Sequence, residues 1–181
     1  MQAHVRSRIL QITDADDIVG IELIQPLWNN YGTLNRVHLK GGTNQSVIVK
    51  HIKIPGHSSH PRGFNSDISR DRKVRSYQVE KHWYEQQNQR LTDASPTPRC
   101  LDAFAQDGEL ILLLDDLSTL GFTQRIHAAS WSEIAAVLRW LAHFHARFIG
   151  DAAEGLWESG TYWHLDTRPE ELDNIKGTRL H

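Results

Sequence analysis

Cysteine and long apolar runs are nearly absent from this sequence of 181 residues. The single cysteine, Cys100, excludes an intrachain disulfide and a zinc site built from several thiolates. No apolar run approaches the roughly 20 residues that span a bilayer, and residues 1–10 are too polar for the core of a signal peptide. The sequence therefore predicts a cytoplasmic protein that does not contact a membrane.

An excess of charge of one sign is also missing, since 20 Lys+Arg stand against 22 Asp+Glu, a formal net charge of −2. Basic residues form no long run, which argues against nonspecific binding to nucleic acid. The apolar share of 39% is nevertheless above that of disordered chains. Composition thus predicts a folded protein of about one domain and indicates no function.

The first third of the chain has the pattern of a small antiparallel sheet. A weak helix is expected to begin at Thr13 or Asp14, either of which can cap its first turn. A turn-rich stretch at 28–33 and the glycine hairpin at 41–44 would join the strands that follow. Runs of β-branched and apolar residues predict those three strands at 21–24, 37–39 and 46–50.

Helical spacing appears further along, after a stretch at 54–69 that is rich in Pro, Gly, Ser and His and predicts an exposed loop. A helix is expected from about Arg72 to Arg90, with Glu80 on an aromatic stripe. Two strands should follow it at 99–105 and 109–114, around the Asp107-Gly108 turn.

The clearest helix is predicted to start at Ser130, because Glu133 can complete a capping box with it, and to stop near Gly150.

Lys50 and Glu80 form the first chemically suggestive pair. A lysine that closes a buried strand is tolerated when its ammonium meets an anion, and a carboxylate on the following helix is a suitable partner. Such a pair can orient the amine toward the phosphates of a nucleotide. The alternative is that Lys50 is simply the solvent-exposed end of an edge strand.

Five segments together resemble one family, the kinase-like phosphotransferases related to aminoglycoside and choline kinases, and most closely the bacterial ecdysteroid-kinase-like branch. The lysine strand, the helix with a Glu before paired aromatics, and a leucine run ending in acid-Asp-Leu occur in the family's order. A helix motif and a Thr-Tyr-Trp-His-Leu motif follow them. The five segments are residues 47–53, 79–85, 112–117, 140–146 and 160–169.

The resemblance implies a role for each matching residue. Lys50 would bind the nucleotide phosphates and Glu80 would orient it. The backbone of the segment that links the two lobes would receive the adenine edge, through Leu114, Asp115, Asp116 and Leu117. The turn that covers the phosphates would be Asn30, Tyr31, Gly32 and Thr33. Because this turn has one glycine, a plain hairpin connection fits it equally well.

The same resemblance implies the fold and the reaction. It predicts an α+β protein with a protein-kinase-like N-terminal lobe and linker at residues 1–117, and the incomplete beginning of a helical C-terminal lobe at 118–181. The activity implied is transfer of the γ-phosphate of ATP, with magnesium, to a hydroxyl group of a small molecule.

The family's catalytic residues do not occur in this sequence. Its His-Gly-Asp loop, the nearby Asn and the later magnesium-binding Asp are missing, and the superficially similar His164 and Asp166 are followed by Glu171 where Asn would stand. No catalytic residue and no metal ligand is therefore assigned, and the chain alone is expected to be inactive.

Three further expectations follow from these observations. One alternative function is a non-catalytic module that binds a nucleotide or a protein partner. A second is a histidine metallohydrolase using His57 and His60. Apolar residues that would pack on an absent helical lobe, including Phe144 and Phe148, also predict an exposed patch and self-association.

Overall fold

The fold was analysed in a computed structural model, which describes residues 1–53, 67–160, 164, 167 and 168. The chain groups into two compact units. One contains Met1–Pro55 and Tyr84–Asp151, and the other contains the residues between them and the chain from Ala152 onward. The boundaries of these compact units differ from those of the two predicted lobes. The predicted lobe boundary after Leu117 therefore stays a prediction.

The N-terminal helix α1 (Ala3–Thr13) ends where the sequence predicted a helix to begin. Val5, Ile9 and Thr13 are all buried, four residues apart on one helical face. Asp14 does not cap a first turn. It adopts the left-handed conformation with φ +53°, which ends the helix. The predicted helix at 13–18 is therefore wrong, and the strand β1 starts at Asp17.

A five-stranded antiparallel sheet forms the centre of the first unit, so the coarse α+β prediction is confirmed. Its spatial order is β1-β2-β3-β5-β4. The strands are β1 (Asp17–Pro26), β2 (Gly32–Lys40), β3 (Ser46–Lys53), β4 (Cys100–Gln106) and β5 (Glu109–Asp115). The first three strands and, by one residue, β5 are longer than predicted, whereas β4 has the predicted length and is shifted by one residue.

The core lies between α1 and one face of this sheet. Val5 and Ile9 of the helix are 1% exposed, and they join a cluster with Val37, Val49 and Leu113. β5 is covered on both faces, because Ile111, Leu112 and Leu113 in succession are at most 1% exposed. The uninterrupted leucine-rich run therefore marks a central strand, as predicted.

The second unit contains α2 (Asp67–His82), which starts earlier and ends earlier than the predicted helix. Trp83–Gln87 continue as a π-helical turn and Asn88–Arg90 as a 3-10 turn, and of these residues only Trp83 belongs to the second unit. Within this unit, the Arg75 guanidinium lies 4.4 Å from the ring centre of Trp157. Arg72 Nη1 donates to the Thr167 carbonyl at 2.9 Å. Arg72 and Arg75 therefore contribute to packing within this unit.

The helix α3 (Trp131–Phe148) has the predicted capping box, with Ser130 N donating to Glu133 Oε2 at 2.7 Å. Gly150, at φ +81°, lies just beyond its end. Leu138 is 60% exposed and no residue of α3 is buried, but Phe144 and Phe148 are half-buried, so the expected exposed patch stays a prediction. In the part of the chain that the structure describes, no helix has both the length and the apolar character to cross a bilayer.

Candidate functional site

Lys50 lies in the middle of the sheet. It pairs with Leu34 of β2 on one side and with Leu112 of β5 on the other. β3 continues for three residues beyond it, to Lys53. Lys50 is half-buried and is not the solvent-exposed end of an edge strand, so that alternative is wrong.

Adjacent residues of β3 lie on opposite faces of the sheet. Lys50 shares its face with its cross-strand partners Leu34 and Leu112, whereas His51 is opposite Thr33 on the face that α1 covers in part. Two groups predicted to serve one phosphate site, Lys50 and Thr33, are therefore on different faces. The register brings together Lys50 and the leucines, but it does not place the Thr33 side chain beside Lys50.

The turn between β1 and β2 is built from residues with unusual backbone angles. Asn29 and Asn30 both have φ +56°, a conformation that Asn tolerates better than most residues. Tyr31 is buried at 3% exposure, and its carbonyl accepts from Lys53 N at 2.8 Å. A Cβ at Gly32 would be 1.9 Å from the carbonyl oxygen of His51, so only glycine fits there. The turn is thus fixed against the end of β3.

Asp116, at the start of the predicted linker, is a buried anchor on the Lys50 face. Its Oδ2 accepts from Arg36 Nε at 2.6 Å and from Ser46 Oγ at 2.7 Å, and its Oδ1 accepts from Ser118 N and Oγ. Burial raises the pKa of Asp116, but the hydrogen bonds from Arg36, Ser46 and Ser118 outweigh it and lower the pKa to about 2. The carboxylate is thus ionised and held by four donors.

The rest of the linker is also engaged within the chain. Asp115 is buried, and its Oδ2 accepts from Arg99 Nε at 2.6 Å. The carbonyl of Asp116 accepts from Thr119, and the carbonyl of Leu117 accepts from Phe122 N at 3.0 Å. Both carboxylates have cationic partners already, so they do not fit a magnesium site.

Glu80 and His164 lie in the other compact unit, where both are half-buried. The predicted pairing of Glu80 with Lys50 stays a prediction. Thr167 donates to the His164 carbonyl through both its backbone N–H and its hydroxyl, which gives this segment a local turn. Asp166, His57 and His60 lie outside the described residues.

Sequence reasoning missed a third buried carboxylate, Glu109, on the His51 face. Its Oε2 is 2.5 Å from His51 Nε2, while its Oε1 is 2.7 Å from Lys53 Nζ and accepts from Gln2 Nε2 at 2.8 Å. The bond from Lys53 dominates, against the opposing effect of burial, and with the bonds from His51 and Gln2 it lowers the pKa of Glu109 to about 2. The one sequence signal for this cluster was the alternation of side chains along a strand, which places His51 and Lys53 on the same face of β3.

Comparisons with known proteins add no assignment. Neither a protein-family model nor a curated protein matches this sequence. Among the residues that the structure describes, no three His, Cys, Asp or Glu side chains are grouped so that they could hold a metal ion. Any function has to be argued from the geometry of the two sheet faces.

Proposed function

We propose that this chain is the nucleotide-binding part of a kinase-like, ATP-dependent phosphotransferase whose acceptor is a hydroxyl group of a small molecule. In this proposal Lys50 meets the phosphates, Glu80 orients it, and the backbone of 114–117 receives the adenine edge. A cytoplasmic location, where ATP is available, is part of the same proposal.

The observation that carries the proposal is the position of Lys50 within the central strand β3. Lys50 is half-buried between Leu34 and Leu112, and a lysine in this position on a sheet face can contact a phosphate group as a point charge. The linker leaves the sheet from β5, the strand paired with β3, so it starts beside the lysine strand.

The turn contributes less to this site than the resemblance implies. Gly32 pairs with Ile52, so its backbone stays beside β3, but the Thr33 side chain belongs to the opposite face. Thr33 is therefore removed from the proposed phosphate-binding set, while Asn30, Tyr31 and Gly32 are retained for their backbone.

Magnesium has no fitting ligands among the linker residues, because Asp115 and Asp116 are paired with Arg99 and Arg36. No step through a metal is derived for this chain. Since the catalytic Asp of the family has no counterpart in this sequence, we expect no transfer of labelled phosphate from ATP to a panel of alcohols. Robust transfer by the purified chain would contradict this part of the proposal.

Calorimetric titration with ATP and magnesium tests the binding site directly. We expect binding in the micromolar range that weakens at least tenfold in Lys50→Met, because the variant removes the cation that meets the phosphates. Lys53→Met is the matched control, since it removes a lysine from the same strand but from the opposite face, and its ATP affinity should stay within twofold of the original.

Two outcomes would overturn this assignment. Equal losses of ATP affinity in Lys50→Met and Lys53→Met would show that binding depends on general charge rather than on one face of β3. No binding of ATP at all would favour the alternative of a module that recognises a protein partner.

A further inference from the structure

Two neighbouring cavities open on the His51 face of the sheet, beside α1. The first, of about 170 Å³, is lined mainly by apolar side chains, among them Val5, Ile21, Val37 and Val49. The second, of about 330 Å³, has the polar residues Asn30, Thr33, His51 and Lys53 in its walls together with Gly32, although most of the exposed wall is carbon. Both cavities include Thr33 and His51 in their walls, so an apolar chamber and a polar chamber meet at this cross-strand pair.

The polar chamber carries hydrogen-bond donors held in place by Glu109. Glu109 is only 4% exposed. Its Oε2 faces the His51 imidazole and its Oε1 faces the Lys53 ammonium. Because an ionised carboxylate only accepts, His51 Nε2 carries the hydrogen of their bond. The Lys53 ammonium gives one of its three hydrogens to Glu109 and, with a side chain 65% exposed, can direct another into the chamber.

Neutral donors complete the polar end. Asn35 Nδ2 donates to Thr33 Oγ1 at 2.8 Å, so the Thr33 hydroxyl accepts there and can donate its own hydrogen. Asn30 adds an exposed side-chain amide at the rim. Gly32 forms the remaining wall, where any side chain would collide with the His51 carbonyl. Lys53, Thr33 and Asn30 therefore bring a lysine, a hydroxyl and an amide to the walls of one cavity.

We infer that these two cavities form a binding site for a small organic acid with an unbranched apolar body. Its carboxylate lies by Lys53, Thr33 and Asn30, and its chain extends past His51 toward Val37 and Val49. A concave site with apolar walls and a few convergent polar groups is the usual form of a ligand pocket. Thr33, His51 and Lys53 are on the opposite face from Lys50, and the two proposed sites share the turn residues Asn30 and Gly32.

Hexanoate is the probe, and its binding to the whole chain can be followed by chemical-shift changes and calorimetry. We expect saturable binding in the millimolar range or tighter, with hexanol binding at least fivefold more weakly because it lacks the charge. Lys53→Met should lose this preference and bind hexanoate at least fivefold more weakly. Lys50→Met should bind hexanoate as the original chain does, which is the reverse of the ATP experiment.

A second pair of variants tests the apolar chamber. Ile21 lines it and is 50% exposed, whereas Leu23, two residues along the same strand and 58% exposed, does not line it. Ile21→Phe should weaken hexanoate binding at least threefold, and Leu23→Phe should not. The inference is overturned if hexanoate fails to saturate, or if Lys53→Met and Ile21→Phe bind it as the original chain does.

Discussion

Lys50 and His51 are neighbours in the sequence, yet the two faces of the sheet that they occupy use buried carboxylates differently. On the Lys50 face, Asp116 accepts from four donor groups of Arg36, Ser46 and Ser118. On the His51 face, Glu109 holds His51 and Lys53, which in turn line an open cavity. Both carboxylates have pKa values lowered to about 2.

The difference lies in what the donors do beyond the carboxylate. The donors around Asp116 close the linker onto β2 and β3, so this cluster is structural. The donors around Glu109 are positioned at the wall of a cavity, so a ligand can use their remaining hydrogens. A lowered pKa therefore does not by itself distinguish an anchor from a binding site, whereas the surroundings of the donors do.

Gly32→Ala should cause the largest loss of stability, because Gly32 packs against the backbone of β3, the strand that carries both Lys50 and His51. The new Cβ would meet the His51 carbonyl oxygen at 1.9 Å, and the residue has φ +137°. We expect a loss of about 3 kcal/mol or more in the free energy of unfolding, measured by urea denaturation. Gly108→Ala is the control, because its φ is +78° but the space around it is open, and it should cost about 1–2 kcal/mol. Equal losses would contradict the close approach at Gly32.

Intermediate losses of stability are expected for Asp116→Asn and Glu109→Gln, and their sizes should differ between the two faces of the sheet. Asp116→Asn removes the buried ionic partner of the half-buried Arg36, which keeps only the more exposed Glu22, and should cost about 2–4 kcal/mol at pH 7. Glu109→Gln should cost about 1–2 kcal/mol, since the exposed Lys53 side chain can turn to solvent. The reverse order would contradict the distinction between anchor and binding site.

The pH dependence of the same variants sharpens this comparison. Glu109 has a lower pKa in the folded chain, about 2, than its ordinary value of 4.5, so its contribution is complete above pH 4.5. That contribution is lost as the pH falls from 4.5 toward 2, because the carboxylate becomes protonated. Stability measured by denaturation over this range should fall less steeply in Glu109→Gln. The exposed Glu154 gives the control Glu154→Gln, which should keep the original slope.

The sequence predicted those features that depend on local chemistry. The capping box of Ser130, the run of leucines in β5 and the glycine hairpin before β3 all carry their own signals. The helix α1 was missed because its first turn has no acidic residue and its last turn no basic one, while Asp14 is a capping residue type at either end of a helix.

The site was harder to predict because it depends on register. The strand β3 was expected to end at Lys50, and its three further residues place Lys53 beside Glu109. His51 and Glu109 are 58 residues apart in the sequence, so no local sequence pattern predicts their contact. The separation of Thr33 from Lys50 likewise follows from the cross-strand pairing, which the sequence leaves open.

The smallest effect on stability is expected outside the sheet, on the uncovered face of α3. Leu138→Glu should change the free energy of unfolding by less than about 0.5 kcal/mol, since Leu138 is 60% exposed. If this apolar face drives self-association, sedimentation velocity should show oligomers of the original chain that diminish in Leu138→Glu. Arg139→Glu changes charge at an exposed neighbouring position and is the control. A monomer at every concentration would contradict the self-association, and a loss of stability well above about 0.5 kcal/mol would contradict the exposure of Leu138.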